Sequence, residues 1–192
     1  YVKRFRRYFS IYLRNENLGV HKNKKIGITM KKLLIETTLF EGKVNEDDNG
    51  VTIVRGVLQR AGAPNQNERV YSRPILEREV TKYGQLIKER RALGELDHPD
   101  SPVINLKNVS HNIREIFWEG DDVCGVVEIL STPSGNILKE LLKNNIRLGI
   151  SSRGMGSVET VNEDNGDQSQ EVQDDFELIA FDFVSNPSTH GA

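Results

Sequence analysis

A single cysteine, Cys124, stands among 192 residues, so no internal disulfide can form and nothing calls for an oxidising compartment. No CxxC pair or Cys/His cluster has zinc-ligand spacing, and no metal or other cofactor is expected. Long apolar runs are missing as well. Nothing approaches the roughly 20 residues a membrane span needs, and the arginine-rich start lacks the apolar stretch of a secretory signal. These absences lead to the expectation of a soluble chain in a cytoplasmic setting with no membrane partner. There are no internal repeats. What remains is an ordinary globular composition, 36% hydrophobic and 28% charged, long enough for one core and too short for two large ones.

Charge is unevenly spread. Residues 1–29 carry eight Lys/Arg and one Glu, whereas the remainder carries 18 and 27. A basic head of this kind suits nucleic acid, yet Met30-Lys31-Lys32 reads like a natural start. Residues 1–29 are therefore expected to be an extension outside the fold, and no nucleic-acid partner is expected for the body. Residues 30–192 are expected to form the folded domain, with a further C-terminal portion missing after Ala192.

Leu33 to Phe40 and Val51 to Leu58 are short runs rich in β-branched and aliphatic residues, bounded by Glu41-Gly42 and Asp47-Asp48-Asn49-Gly50, and they read as strands. From Pro74 to about Arg91, Leu76, Val80, Tyr83 and Ile87 fall on one helical face. Ile113 to Trp118 and Val123 to Leu130 flank the turn Glu119-Gly120-Asp121-Asp122 and predict a buried hairpin. A second helix, capped by Ser134, carries Ile137, Leu138, Leu141 and Leu142 and ends near Asn144-Asn145. Leu148 to Ser152 and Ser157 to Val161 read as strands separated by Gly154-Met155-Gly156, and Phe176 to Val184 as the last strand. Asn162 to Asp175, with six acids and no base, reads as a solvated insertion. Two helices among about seven strands predict an α+β fold built on an antiparallel barrel.

Two segments could carry chemistry. In Leu93-Gly94-Glu95-Leu96-Asp97-His98-Pro99, a histidine precedes a proline, where the chain is held extended near the surface. With an ordinary pKa of about 6.5, such a side chain can take and return a proton near neutrality. The competing reading is a loop histidine without a role. In Gly149-Ile150-Ser151-Ser152-Arg153-Gly154-Met155-Gly156, glycines around two serines leave clearance for a substrate and free backbone donors for an oxyanion. Arg153 replaces the second glycine of a nucleophile elbow, so the α/β-hydrolase turn is not indicated. As a bare pattern, this is more often a turn than an active site.

Taken together the segments resemble a known family, the prohead core proteases of large tailed bacteriophages. The likeness spans most of Met30 to Thr189. It runs through Leu33-Leu34-Ile35-Glu36-Thr37, Asn67-Glu68-Arg69-Val70-Tyr71 and Arg73-Pro74-Ile75-Leu76-Glu77 to Gly94-Glu95-Leu96-Asp97-His98-Pro99. It continues through Phe117-Trp118-Glu119-Gly120-Asp121-Asp122 and the Ser151-Ser152-Arg153-Gly154 segment to Phe181-Asp182-Phe183-Val184 and Pro187-Ser188. The resemblance implies a serine endopeptidase with Ser151 as nucleophile and His98 as base, in a fold similar to the herpesvirus capsid protease. It also implies scaffold, core and major capsid proteins as substrates, cleavage after glutamate, action inside the assembling prohead in the host cytoplasm, and a possible homo-oligomer.

Strand alternation lets only one of Ser151 and Ser152 meet His98. For the third member, Asp182 is expected because an acid inside the apolar run Ile179 to Val184 needs a partner such as an imidazole. His111 is the rival, as a Ser-His-His set occurs in the herpesvirus relatives. Arg153 and Gly154 are expected near the oxyanion, with Arg153 also the nearest cation for a substrate glutamate. The other function classes weighed are a catalytically silent core or scaffold component and a nucleic-acid-binding module.

Overall fold

The computed structural model describes residues 30–47, 49–162 and 168–185. The expected extension at 1–29 and the Pro187-Ser188 match lie outside the described residues.

The described chain forms strands β1 (Lys32–Leu39), β2 (Lys43–Glu46), β3 (Thr52–Arg60) and β4 (Arg69–Val70), helix α1 (Arg73–Lys88), and strands β5 (Leu93–Glu95), β6 (Val109–Glu119) and β7 (Asp122–Ile129). Helix α2 (Pro133–Lys143) and strands β8 (Gly149–Gly156), β9 (Val158–Asn162), β10 (Gln168–Val172) and β11 (Glu177–Val184) follow. Mostly antiparallel sheets with two helices make this an α+β fold, as the hydrophobic pattern predicts.

The expected barrel is corrected. Pairing gives three sheets, ordered β1-β8-β11, β4-β10-β9 and β2-β3-β7-β6-β5, and no closed ring among the described residues. The first and last are joined where the chain beyond β5 meets β11, through the parallel bridge Leu96–Phe183 and the bond from the Asp97 N–H to the Phe183 carbonyl at 2.8 Å. Closure fails on the opposite side because, among the described residues, the outer edge of β1 has no strand beside it, and β2 pairs with β3 only as far as Arg55.

The faces of the elements are those their sequence periods select. Leu76, Val80 and Tyr83 of α1 are buried at helical spacing, and Tyr83 meets Phe181 edge-on at 5.6 Å. Phe40, Val54, Leu58, Ile113, Leu138, Ile150 and Phe183, from the β1-β8-β11 sheet, the five-stranded sheet, α2 and the residue after β1, belong to the main core. A fully buried ring such as Phe183 contributes about 1.5–3 kcal/mol relative to an exposed one.

Three local expectations change. The cap of α2 is Thr132, whose Oγ1 accepts from the Gly135 N–H at 3.0 Å; Pro133 takes the first helical position and Ser134 lies within the first turn. Gly154, Met155 and Gly156 lie inside β8 and do not break it. A side chain at Gly154 would collide with the Phe176 ring, so glycine here makes room for the core. The acidic stretch includes β10, which pairs with β9 and β4, so its described second half belongs to a sheet.

Candidate active site

β8 is the central strand of its sheet, with β1 on one side and β11 on the other. Ser151 lies opposite Thr37 and Asp182, and Ser152 opposite Glu36 and Phe181. Because successive side chains point to opposite faces, Ser151, Arg153 and Asp182 share one face. Ser152 faces the other, where it lines a cleft between β1 and β3 with Glu36 and Gln59. Among the described residues, no histidine lines that cleft.

The face of Ser151 is built around a buried ion cluster. Arg153, Glu95 and Asp182 are each 0% exposed. The Arg153 guanidinium donates to Glu95 Oε1 at 3.0 Å and Asp182 Oδ1 at 3.2 Å, and its Nε lies 3.0 Å from Asp182 Oδ2. Its Nη1 donates to the Ser101 carbonyl at 2.8 Å, and Glu95 Oε1 accepts from the Asn105 N–H at 3.0 Å. Asp182 Oδ1 in turn accepts from the Glu95 N–H at 2.9 Å. Together these contacts pin segment 97–108, which carries His98, against the face of the sheet that bears Ser151.

His98 is half-buried, and it follows Asp97, whose φ of 60° places it in the left-handed region that Asp tolerates better than most residues. That kink comes directly after the bridge to β11 and turns the chain over the sheet. The buried Nδ1 of His98 and the buried Oγ of Ser151 have no hydrogen-bond partner among the described residues.

The expected acid does not bond to the histidine. The Asp182 carboxylate is engaged by Arg153 and the Glu95 N–H instead, and burial pushes it up to about 6 against the pull of that guanidinium. The rival is engaged elsewhere too. His111 is fully buried, its Nε2–H donating to the Phe181 carbonyl at 2.9 Å and its Nδ1 accepting from the Ser110 hydroxyl at 2.8 Å. Its ring packs over Gly94, where a side chain would collide with it, and meets Phe183 edge-on at 5.0 Å.

Arg153 and Gly154 also differ from expectation. Arg153 has no exposed surface to offer a substrate, because its guanidinium is buried between two carboxylates and a carbonyl. Gly154 pairs with Leu34 and Leu178 on its two sides, so its backbone belongs to the ladder and is not free for an oxyanion. Sequence reasoning missed the roles of Glu95 and Ser101. The available signal was an acid three residues before His98 together with an arginine two residues after Ser151. Among the described residues, no group of three His, Cys, Asp or Glu side chains is placed to hold a metal ion, and no helix is long and apolar enough to cross a membrane.

Burial holds the His111 imidazole neutral, down to about 4 from the ordinary 6.5. The unfolded chain takes up a proton below pH 6.5 that the folded chain refuses, so this group's contribution to stability is lost as pH falls from 6.5 to 4. The loss should reach about 3 kcal/mol at 1.36 kcal/mol per pKa unit. Denaturant titrations at pH 7 and pH 4 should show this steeper decline in the parent than in His111→Gln. Asp182 contributes in the opposite sense and is common to both chains, so equal slopes would refute the assignment.

A buried serine and a half-buried histidine on adjoining elements, tied by an ion cluster, define a candidate hydrolytic site on an α+β scaffold. The chain belongs to the prohead core protein serine proteases, whose family model matches residues 16–192. It is 32% identical over 145 residues to the prohead core protein protease of Enterobacteria phage T4, a match covering 72% of this chain and 66% of that protein's length. The solved structure of the bacteriophage T4 capsid assembly protease superposes with a TM-score of 0.75 at 28% identity, covering 82% of this chain and 99% of that one.

Proposed function

We propose that this chain is a serine endopeptidase in which His98 deprotonates Ser151 for attack on a peptide carbonyl and then protonates the leaving amine. The observation that carries the reading is that Ser151 Oγ and His98 Nδ1, on a face of the sheet and on the segment pinned over it, are both among the buried polar atoms left without partners. Each such atom costs about 1–3 kcal/mol, and folded proteins keep them mainly where function needs them. Membership of a serine protease family supplies the reaction class. Catalytic hydrogen bonds are often long in unliganded enzymes, so an unbonded pair fits a resting state.

Ser151 is 0% exposed, so a substrate carbonyl reaches it only when covering chain moves. Asp182 acts in this proposal as a positioning residue, holding the Glu95 N–H at the root of the histidine segment. The substrates are scaffold, core and capsid proteins of the prohead, cut after glutamate within the assembling particle. An opened form of the herpesvirus-type barrel is the proposed architecture, supported by the Leu96–Phe183 junction that joins two sheets into most of a ring.

His98→Ala should slow scaffold cleavage by at least about 10³-fold, and adding Ser151→Ala should cost little more, since parts of one catalytic unit are not additive. Losses that multiply would contradict the mechanism. The closed Ser151 would equally suit a silent core component, and a purified chain that leaves scaffold intact while binding it would favour that reading.

A further inference from the structure

From β3 through β7, β6 and β5, across the Leu96–Phe183 bridge and on through β11, β8 and β1, the strands follow a ring interrupted between β1 and β3. The interruption is a cleft of about 580 Å³ with Leu58 and Ser152 among its lining residues and Thr37, Thr38 and Gln59 along the two strands.

Two features of this cleft suit a peptide. Asn67 Nδ2 donates to the Ile35 carbonyl, which therefore points away from β8, whereas the Phe40 N–H points inward to the Leu148 carbonyl. Backbone groups alternate along a strand, so the N–H and C=O of Thr37 face outward into the cleft, where they have no partner among the described residues. Gln59 is 7% exposed, and both its Nε2 and its Oε1 are buried without a partner. A primary amide offers one donor side and one acceptor, the complement of a peptide group. The charges around the cleft are already matched. Glu36 is held by Asn67, Arg69 and Tyr71, and Arg60 pairs with Asp122. The cleft thus sets a strand edge beside a buried, unpaired amide that a turn of the Gln59 side chain would bring to a bound main chain.

We infer that this cleft binds an extended polypeptide segment, added as a strand to β1 at Thr37 with a peptide group paired to Gln59. The protease reading supplies only the source, a stretch of protein substrate remote from the bond being cut. Thr37 lies opposite Ser151, so the added strand runs two strand spacings from the nucleophile, about 10 Å at ~4.8 Å each. That distance anchors a substrate beside the site without placing the scissile bond in the cleft.

The test uses the full chain carrying Ser151→Ala, with reduced and carboxymethylated lactalbumin as the probe, because recognition of main chain tolerates a generic unfolded polypeptide. Residue-resolved amide exchange should show the Thr37 N–H unprotected in the free protein and slowed at least about 10-fold with saturating probe. The Gln59 side-chain amide resonances should shift on binding. Ala63→Trp, at an exposed position lining the cleft, and Gln59→Leu should each weaken binding at least about fivefold, the loss of roughly one hydrogen bond. A Thr37 amide already protected in the free protein would assign the cleft to another segment of this chain or to a second copy, and overturn the proposal. So would absence of binding, binding without Thr37 protection, or binding indifferent to Ala63→Trp. Fragmentation of the probe by the Ser151→Ala protein would refute the nucleophile and leave the cleft's test intact.

Discussion

Ser151→Ala should reduce scaffold cleavage by at least about 10⁴-fold, the scale on which loss of the nucleophile disables a serine protease. Folding should not suffer. The Ser151 hydroxyl is buried and unbonded, so removing it deletes an unsatisfied polar group and should leave the melting temperature unchanged or slightly higher. Ser152→Ala changes a residue on the opposite face, in a cleft that no histidine among the described residues lines, and should alter the rate by less than about tenfold. Both variants need the same assay, namely cleavage of purified scaffold followed by mass spectrometry alongside a thermal melt. If Ser152→Ala were the inactive one, the nucleophile would sit in the β1–β3 cleft, and the ion cluster would be purely structural.

The separation of the two serines is legible in the amino-acid order, because alternation along a strand follows from backbone geometry alone. So is the buried face of α1, where Leu76, Val80 and Tyr83 recur at helical spacing. Short elements are not legible. β4 and β5 are two and three residues long, below the length at which a hydrophobic period can be read, and they exist because neighbouring chains pair with them. The glycines of β8 read as punctuation because glycine usually ends a strand. Here the constraint is the Phe176 ring, a contact made from 22 residues away in sequence. The Arg153 pairings cross sequence separations of 58 and 29 residues, and local spacing carries no trace of them. An acid in the apolar run 179–184 correctly signals that Asp182 needs a partner. It does not say that the partner is a guanidinium.

That partner gives the second large effect. Arg153→Met should destabilise the protein by about 3–5 kcal/mol, because it strands Glu95 and Asp182 as buried carboxylates sharing no cation. The deficit should depend on pH in a definite direction. Burial already raises Asp182 to about 6 against the pull of Arg153, and removing the guanidinium raises that carboxylate's folded-state affinity for a proton further. Stability gained from that proton is present below the unfolded carboxyl range and lost as pH rises, so the variant should be relatively better at pH 5 than at pH 8. Adding Glu95→Gln and Asp182→Asn removes both stranded charges and should recover a large part of the loss. Cleavage should fall as well, since the Ser101 carbonyl would lose its donor, and the Glu95 carboxylate that accepts from the Asn105 N–H would lose the cation that fixes it. The opposite outcome is equally definite. If Arg153→Met melted like the parent at both pH values and merely cut after residues other than glutamate, the guanidinium would be reading the substrate. The buried cluster would then not be what holds the His98 segment against the strand of Ser151.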